Sequence, residues 1–260
     1  MPGRRRQDVH WRGRGIRWAA CSSCRRHSYL PRPRAAAPIL PLPLEQADLP
    51  LAQLLGMAKP GALALGGKVT DSARTIARAA GVELVDYFAR PELTVYNAIP
   101  TAEGCIGILL ERRSRTLWGA AVLVLGFGPV GRALAVRLAA LGARVTVAAR
   151  RPVQRAMAEE LGLRAVSLTD LAAAAAAFDT VVNTIPAPVL TTQVLAALPK
   201  GSLIVDLASK PGGTDFAAAR RLGHTALHAL SLPTVWAPET AGEALARTVQ
   251  TILQEREEKI

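Results

Sequence analysis

Residues 121–131 read Ala121-Val122-Leu123-Val124-Leu125-Gly126-Phe127-Gly128-Pro129-Val130-Gly131, and no other stretch constrains the fold as much. Five apolar residues in a row suit a strand covered on both faces, the environment of a parallel sheet. Gly126, Gly128 and Gly131 then fit G-x-G-x-x-G: the first allows a tight turn, the second lets the backbone approach a pyrophosphate, and the third lets the helix pack close to the strand. Phe127, Pro129 and Val130 complete the turn and open a helix whose free N–H groups attract phosphate. The glycines alone also fit a strand–helix turn that serves packing only. Their context argues for more. A helical stretch at 130–141, Gly142 and a second apolar strand at 144–149 complete one βαβ unit, which is what the motif requires.

The same rhythm runs through the rest of the chain. Helical patterns are expected at 153–161, 168–178, 191–198 and 214–222, alternating with strands at 164–166, 180–183, 202–206 and 225–230. Six strands alternating with helices predict a doubly wound parallel dinucleotide fold over 119–239. A long helix at 240–257, in a terminal segment 240–260, is expected to pack back on the first lobe. Upstream, 37–98 reads as a partial α/β lobe. It has a short proline-rich strand at 38–44, a helix at 49–57, strands at 62–69 and 82–88, and a helix at 72–80 with Asp71 as its N-cap. Its rhythm begins in mid-fold, so the start of this lobe is expected to be missing. Residues 90–100 read as a loop. The segment 99–118 reads as a connector, with its helix over 101–115 capped by Thr101.

Residues 1–36 stand apart. They hold ten arginines and one aspartate, Asp8, so +9 of the net +12 lies there and the remaining chain carries only +3. A basic arm for nucleic acid and a zinc site at Cys21, Cys24 and His27 are both weighed against a disordered or artefactual leader. A closed zinc site needs four ligands and no second pair follows, and the composition changes abruptly near Ala35. The leader is the reading adopted, with no metal and no nucleic-acid partner expected. Three cysteines make no disulfide framework, and no apolar run reaches the length of a membrane span. A cytoplasmic location is the expectation.

NAD-binding units place a carboxylate about 20 residues past the glycines, on the ribose 2′-OH. Here the second strand ends Val147-Ala148-Ala149-Arg150-Arg151, with no acid. Arg150 and Arg151, with Arg155 adding charge, suit a 2′-phosphate, because guanidinium matches phosphate geometry. NADP is therefore favoured over NAD. The alternative is a solvated helix start.

Three further strings carry chemistry: Asn97-Ala98-Ile99-Pro100-Thr101-Ala102-Glu103-Gly104, Asn183-Thr184-Ile185-Pro186, and Asp206-Leu207-Ala208-Ser209-Lys210-Pro211-Gly212-Gly213-Thr214-Asp215-Phe216. With the glycine turn and Ala237-Pro238-Glu239-Thr240-Ala241-Gly242, they closely resemble the family of bacterial dipicolinate synthase A subunits, over about 37–253. The resemblance implies a fold similar to that of 2-hydroxyacid dehydrogenases. It also implies NADP-linked oxidation of dihydrodipicolinate to pyridine-2,6-dicarboxylate in the sporulating mother cell, with the flavoprotein-like B subunit of dipicolinate synthase as partner. The chain departs from the family at Ser231-Leu232-Pro233-Thr234-Val235-Trp236, where glycines are usual.

Ligands in this fold sit beyond the carboxyl ends of the strands. Lys210, Asp206, Glu103 and Asn97 are the catalytic candidates there. Lys210 is expected to pair with one substrate carboxylate, and Gly212 and Gly213 to offer N–H groups to the other. Thr184 and Pro186 are expected to line the nicotinamide side. Each has a plainer alternative: Asp206 as a turn cap, Lys210 as a solvated charge, and Asn97, Thr101 and Glu103 as a helix start with reciprocal capping. His224, His228 and Cys105 are placed away from the site. No His–carboxylate or Ser–Tyr–Lys set is present, so a non-catalytic NADP-binding subunit that organises a catalytic partner stands beside the oxidoreductase.

Overall fold

The computed structural model describes residues 50–59 and 61–258. The leader, the candidate zinc ligands Cys21, Cys24 and His27, and the strand expected at 38–44 lie outside the described residues. Contacts divide the chain into two units, at Leu84 and Val85.

The first unit contains helix α1 (Leu51–Gly56), strand β1 (Leu63–Gly66) and helix α2 (Asp71–Ala79), and leads into strand β2 (Glu83–Asp86), which pairs with β1. The N-cap of α2 is Thr70, not Asp71: the Thr70 hydroxyl accepts from Ala73 N at 3.2 Å, and Asp71 is the first helical residue. An acid in that position favours the positive helix start without capping it. Leu55, Ala77 and Val82 form the buried cluster of this unit.

The second unit is built on a six-stranded sheet of β3 (Ala121–Leu125), β4 (Arg144–Ala149), β5 (Arg164–Ser167), β6 (Thr180–Asn183), β7 (Leu203–Asp206) and β8 (Thr225–His228), in the order β5-β4-β3-β6-β7-β8. Every pairing is parallel. Chain order reverses between β3 and β6, which is where ligands bind in such sheets. Val122, Leu123, Val124 and Leu125 are fully buried. Burial of each is worth about 1.5–3 kcal/mol.

Strand alternation divides the core in two. Val122 and Val124 face a layer that includes α3 (Pro91–Arg112), α4 (Pro129–Ala140) and Ala158 of α5 (Pro152–Glu160). Leu123 and Leu125 face one drawn from α6 (Leu171–Ala174), α7 (Thr192–Ala197) and α8 (Phe216–Arg221). Helices on both faces make the unit a doubly wound Rossmann layer structure, as the alternation predicted. The expected helix at 168–178 is instead the short α6 between two 3-10 turns, Leu168–Asp170 and Ala175–Ala177.

The segment before β3 differs from expectation. Residues 91–100 are not a loop: α3 begins at Pro91 and passes through Pro100. Proline disfavours a helical residue before it, but Leu93, Ala98, Pro100, Ala102, Cys105, Ile108 and Leu109 are all buried, and that packing prevails. Thr101 is therefore mid-helix, with its hydroxyl donating to the Asn97 carbonyl at 2.6 Å. By length and composition α3 is apolar enough to cross a membrane; half of that stretch is buried, while Val95, Ile99 and Leu110 are exposed. Just past it, Arg113 is nearly buried and pairs with Asp179 at 2.8 Å. This fixes the end of α3 at the amino edge of the sheet, beside the first residue of β6.

Two helices close the chain, α9 (Leu232–Trp236) and α10 (Pro238–Glu257). The stretch at 231–236, which lacks the family's usual glycines, is thus helical from Leu232, entered through Ser231 at φ 58°. Trp236 lies across Gly104 and Gly107 of α3. A methyl group on Gly107 would come within 2.4 Å of its ring. Helix α10 packs on α3 and α9.

Candidate functional site

The glycine turn is built by exclusion. Gly126 ends β3 at φ 92°, a region that favours glycine. A Cβ there would meet Thr184 Oγ1 at 2.5 Å. A Cβ on Gly131 would lie 2.1 Å from the Gly126 carbonyl oxygen, so this residue sets how closely α4 packs on the strand. Gly128 differs: nothing lies within 4 Å of a Cβ built on it. It is the N-cap of α4, with Pro129 following in the first turn and no side chain capping the helix. The helix start therefore presents uncapped backbone N–H groups to open space, the arrangement that receives a pyrophosphate.

Two loops adjoin this turn at the carboxyl edge. Thr184 donates to the Leu125 carbonyl twice, from its backbone N–H at 2.9 Å and its hydroxyl at 2.8 Å. Fully buried Asn183 accepts from Ile185 N through Oδ1 at 3.0 Å, and its Nδ2 donates to Ile185 O and to Asp206 Oδ1, each at 3.0 Å. Pro186 is exposed beyond them.

Asp206, at the end of β7, is fully buried. Its Oδ1 accepts from Ala208 N at 3.0 Å and from Asn183 Nδ2; its Oδ2 accepts from Gly213 N at 2.9 Å and from the Thr214 hydroxyl at 2.6 Å. Four donors satisfy the carboxylate, which latches the loop 208–214 to the loop after β6. Gly212 N donates to Ser209 O at 2.8 Å. The N–H groups of Gly212 and Gly213 are both engaged inside the loop, so they are not offered to a substrate carboxylate, contrary to expectation. Lys210 stands exposed at the tip of this loop, with no ion-pair partner among the described residues.

His228 is not remote from this loop. It ends β8, opposite Asp206. Its Nε2 lies 2.8 Å from the Ala208 carbonyl, so it donates there, and its ring stacks on Phe216 at 5.4 Å. A Cβ on Gly212 would touch that ring at 3.3 Å. Its distance from Asp206 in sequence hid this, although parallel pairing of adjacent strands would have brought the two together.

The residues on α3 lie apart from these loops. Glu103 is exposed, 3.7 Å from Arg137 in the last turn of α4. From Pro129 to Arg137 the helix rises about 12 Å, so Glu103 is well down α4 from the glycine turn. Asn97 is half-buried, and no hydrogen bond joins its side chain or that of Glu103 to the loop residues among the described residues. Cys105 is fully buried, and burial pushes its thiol far above the usual range. Arg150 and Arg151 are exposed at the end of β4, while Arg155 is folded back onto the backbone between them and the strand. The described residues hold no cluster of metal-ligating side chains.

Residues 108–209 match the D-isomer specific 2-hydroxyacid dehydrogenase NAD binding domain family. Over 180 residues the chain is 41% identical to the A subunit of dipicolinate synthase from Bacillus subtilis (strain 168), a match that takes in 69% of this chain. It spans only 61% of that relative's length. Among solved structures, the dipicolinate synthase A chain from Bacillus subtilis aligns with a TM-score of 0.77 at 36% identity, covering 82% of this chain and 71% of that one. The corresponding dipicolinate synthase chain from Bacillus halodurans aligns with a TM-score of 0.74 at 37% identity, covering 78% and 69%. With sequence and fold agreeing at this level of identity, the chain belongs to the family of dipicolinate synthase A subunits.

Proposed function

We propose that this chain is the dehydrogenase-type subunit of a dipicolinate synthase and takes part in NADP-linked oxidation of dihydrodipicolinate to pyridine-2,6-dicarboxylate in the cytoplasm of a sporulating mother cell, together with the synthase's flavoprotein-like B subunit. Family membership carries this reading, and the residues of the glycine turn fit the cofactor it requires: Gly128 leaves the open approach, and the uncapped start of α4 supplies the donors. When bound, the dinucleotide supplies the hydride acceptor. The 126–131 turn would hold its pyrophosphate, Arg150 and Arg151 would receive its 2′-phosphate, and Thr184 and Pro186 would border its nicotinamide end.

Ring dehydrogenation releases one hydride and one proton, so the protein's part is to orient the ring and give the proton a path to solvent or base. Lys210 is assigned as the anchor of one substrate carboxylate, since it is the exposed cation at the tip of the latched loop. Asp206 is assigned a positioning role instead of contact with substrate, because its oxygens are saturated by Asn183, Ala208, Gly213 and Thr214. Asn97 and Glu103 take no step in this scheme.

The test is NADPH formation from enzymatically generated dihydrodipicolinate, with the chain alone and with the B subunit. Formation that requires both supports a shared active site. Binding of NADPH without turnover under either condition favours a second reading, in which the chain is a subunit that only holds the cofactor. One observation speaks for that alternative: the polar groups of the 206–214 loop are bonded mainly to one another. Lys210→Ala separates the two readings. Lost turnover with intact NADPH binding identifies a catalytic cleft, and unchanged turnover removes Lys210 as the anchor.

A further inference from the structure

We infer that His228 is a positioning residue for the substrate, setting through the loop 208–214 where the Lys210 ammonium stands. This rests on the assignment of Lys210 above and extends it to a residue on a different strand.

Ser209, Lys210 and Pro211 are exposed, and they stand between two buried residues, Ala208 and Gly212. Gly212 N donates to Ser209 O at 2.8 Å, which closes this stretch into a tight turn with Lys210 at its tip. Both buried ends of the turn meet one edge of the His228 ring. Nε2 donates to the Ala208 carbonyl at 2.8 Å, and no other donor reaches that carbonyl among the described residues. At the far end a Cβ on Gly212 would stand 3.3 Å from both Cε1 and Nε2. Glycine at φ 88° therefore lets the turn close against the ring.

The ring is itself fixed. His228 ends β8 opposite Asp206, the next residue, Ala229, donates from its N–H to the Asp206 carbonyl at 2.8 Å, and the imidazole stacks on Phe216 at the start of α8. Asp206 and His228 hold the loop through different groups. Asp206 takes the N–H groups of Ala208 and Gly213, whereas His228 takes the carbonyl that leads into Ser209. A peptide unit is planar, so fixing its carbonyl fixes the direction in which the chain enters the turn. Without that bond the peptide is free to rotate and swings Ser209 and Lys210 with it. Holding the cation in place beforehand lowers the ordering cost that a substrate carboxylate would otherwise meet on binding. An apolar side chain at this position could pack on Phe216 but could not donate to Ala208.

The experiment is calorimetric titration of the full chain, with NADP and the B subunit present, using pyridine-2,6-dicarboxylate as the probe. The proteins are wild type, His228→Leu, His228→Gln, Lys210→Ala and each His228 variant combined with Lys210→Ala, with circular dichroism as the check on folding. His228→Leu keeps the volume and loses the donor, and should weaken the probe by about tenfold. His228→Gln restores an N–H donor and should stay within about threefold of wild type. In the Lys210→Ala background His228→Leu should change affinity by less than about twofold, because the residue acts through the lysine. NADPH affinity should be the same in all variants, which a general loss of structure would not produce. An unchanged affinity in His228→Leu, an equal loss in both backgrounds, or a parallel loss of NADPH binding overturns the inference. If His228→Leu does not fold, His228→Gln decides: near-native affinity, or a loss that vanishes in the Lys210→Ala background, supports the inference, and a loss that persists there overturns it. If Lys210→Ala binds the probe as wild type does, the lysine anchor falls and the role of His228 with it, while the NADP reading stands. Failure of wild type to bind the probe removes the substrate reading as well.

Discussion

A methyl group added to Gly131 would lie 2.1 Å from the carbonyl oxygen of Gly126, whereas one added to Gly128 meets nothing within 4 Å. The two glycines of one motif therefore fail differently. Gly131→Ala must push α4 off β3 and should cost about 3 kcal/mol or more, read as a lower urea midpoint. Gly128→Ala, at φ −79° in a region open to alanine, should leave that midpoint unchanged and weaken NADPH binding by filling the approach to the helix start. Equal midpoints for the two variants would contradict this. Asp206 gives a second contrast. In Asp206→Asn one carboxylate oxygen becomes an NH2 group, which would face either the donor pair Asn183 Nδ2 and Ala208 N or the pair Gly213 N and Thr214 Oγ1. Either way donors oppose donors in a buried site, at a cost of about 2–4 kcal/mol. Asp206→Asn should lower thermal stability and raise the KM for substrate, by loosening the loop that carries Lys210, while binding NADPH as wild type does. A variant with native stability would show that the four bonds are dispensable.

Helix α3 shows where elements were legible and where they were not. Its second half follows from apolar spacing, but Pro100 hid the first half, because the rule against helix before proline is local and the burial of Leu93, Ala98 and Ala102 is not. The Gly104 and Gly107 shelf was equally hidden, since its partner Trp236 lies more than a hundred residues away. Gly107→Ala should displace that indole. Trp236 emission, isolated by subtracting the Trp236→Phe variant, should move to longer wavelength as the ring enters water. An unchanged spectrum would mean that the ring does not rest on the shelf. At its other end α3 is tied to α10: Arg90 bonds Glu92 and Glu255, with N–O distances of 2.6 Å to each. The carboxyl of Glu92 is held below its usual range by its own backbone N–H and then by the Arg90 guanidinium. A depressed carboxylate contributes stability that is present above its unfolded pKa and lost as pH falls through the folded value. Wild type should thus be more stable than Glu92→Gln near neutrality, and the gap should close as pH falls below the usual glutamate range. A gap independent of pH would assign the difference to something other than titration.

At the level of the whole chain, the alternation of apolar strands with helices was enough to predict a doubly wound sheet, because parallel strands need crossovers and crossovers cover both faces. The same logic placed the loops after β6 and β7 at one edge. What it did not reach was the bonding inside those loops. Asp206 reads as a reactive polar residue, but sequence spacing does not reveal that its own loop supplies three of its four donors and Asn183 the fourth. Nor does sequence separation reveal that His228 closes over the same segment. The distribution of burial has a consequence of its own. The second unit holds two large clusters on either side of β3, β6 and β7, in which Leu123, Val124, Val181, Val182, Ile204 and Val205 have no exposure. Among the described residues the first unit rests on Leu55, Ala77 and Val82. Opening free energy follows buried apolar contact, so the two units should not exchange their amide hydrogens alike. Peptides covering 62–84 should exchange early, and those covering 122–125, 181–183 and 203–206 only with global unfolding. A bound ligand stabilises the state that binds it, by about 2.7 kcal/mol at a hundredfold excess over its dissociation constant. Saturating NADPH should therefore slow the three central strands further. Equal exchange in both sets would show that the first unit opens only with the sheet. Central strands indifferent to NADPH would place the dinucleotide somewhere other than the carboxyl edge of β3.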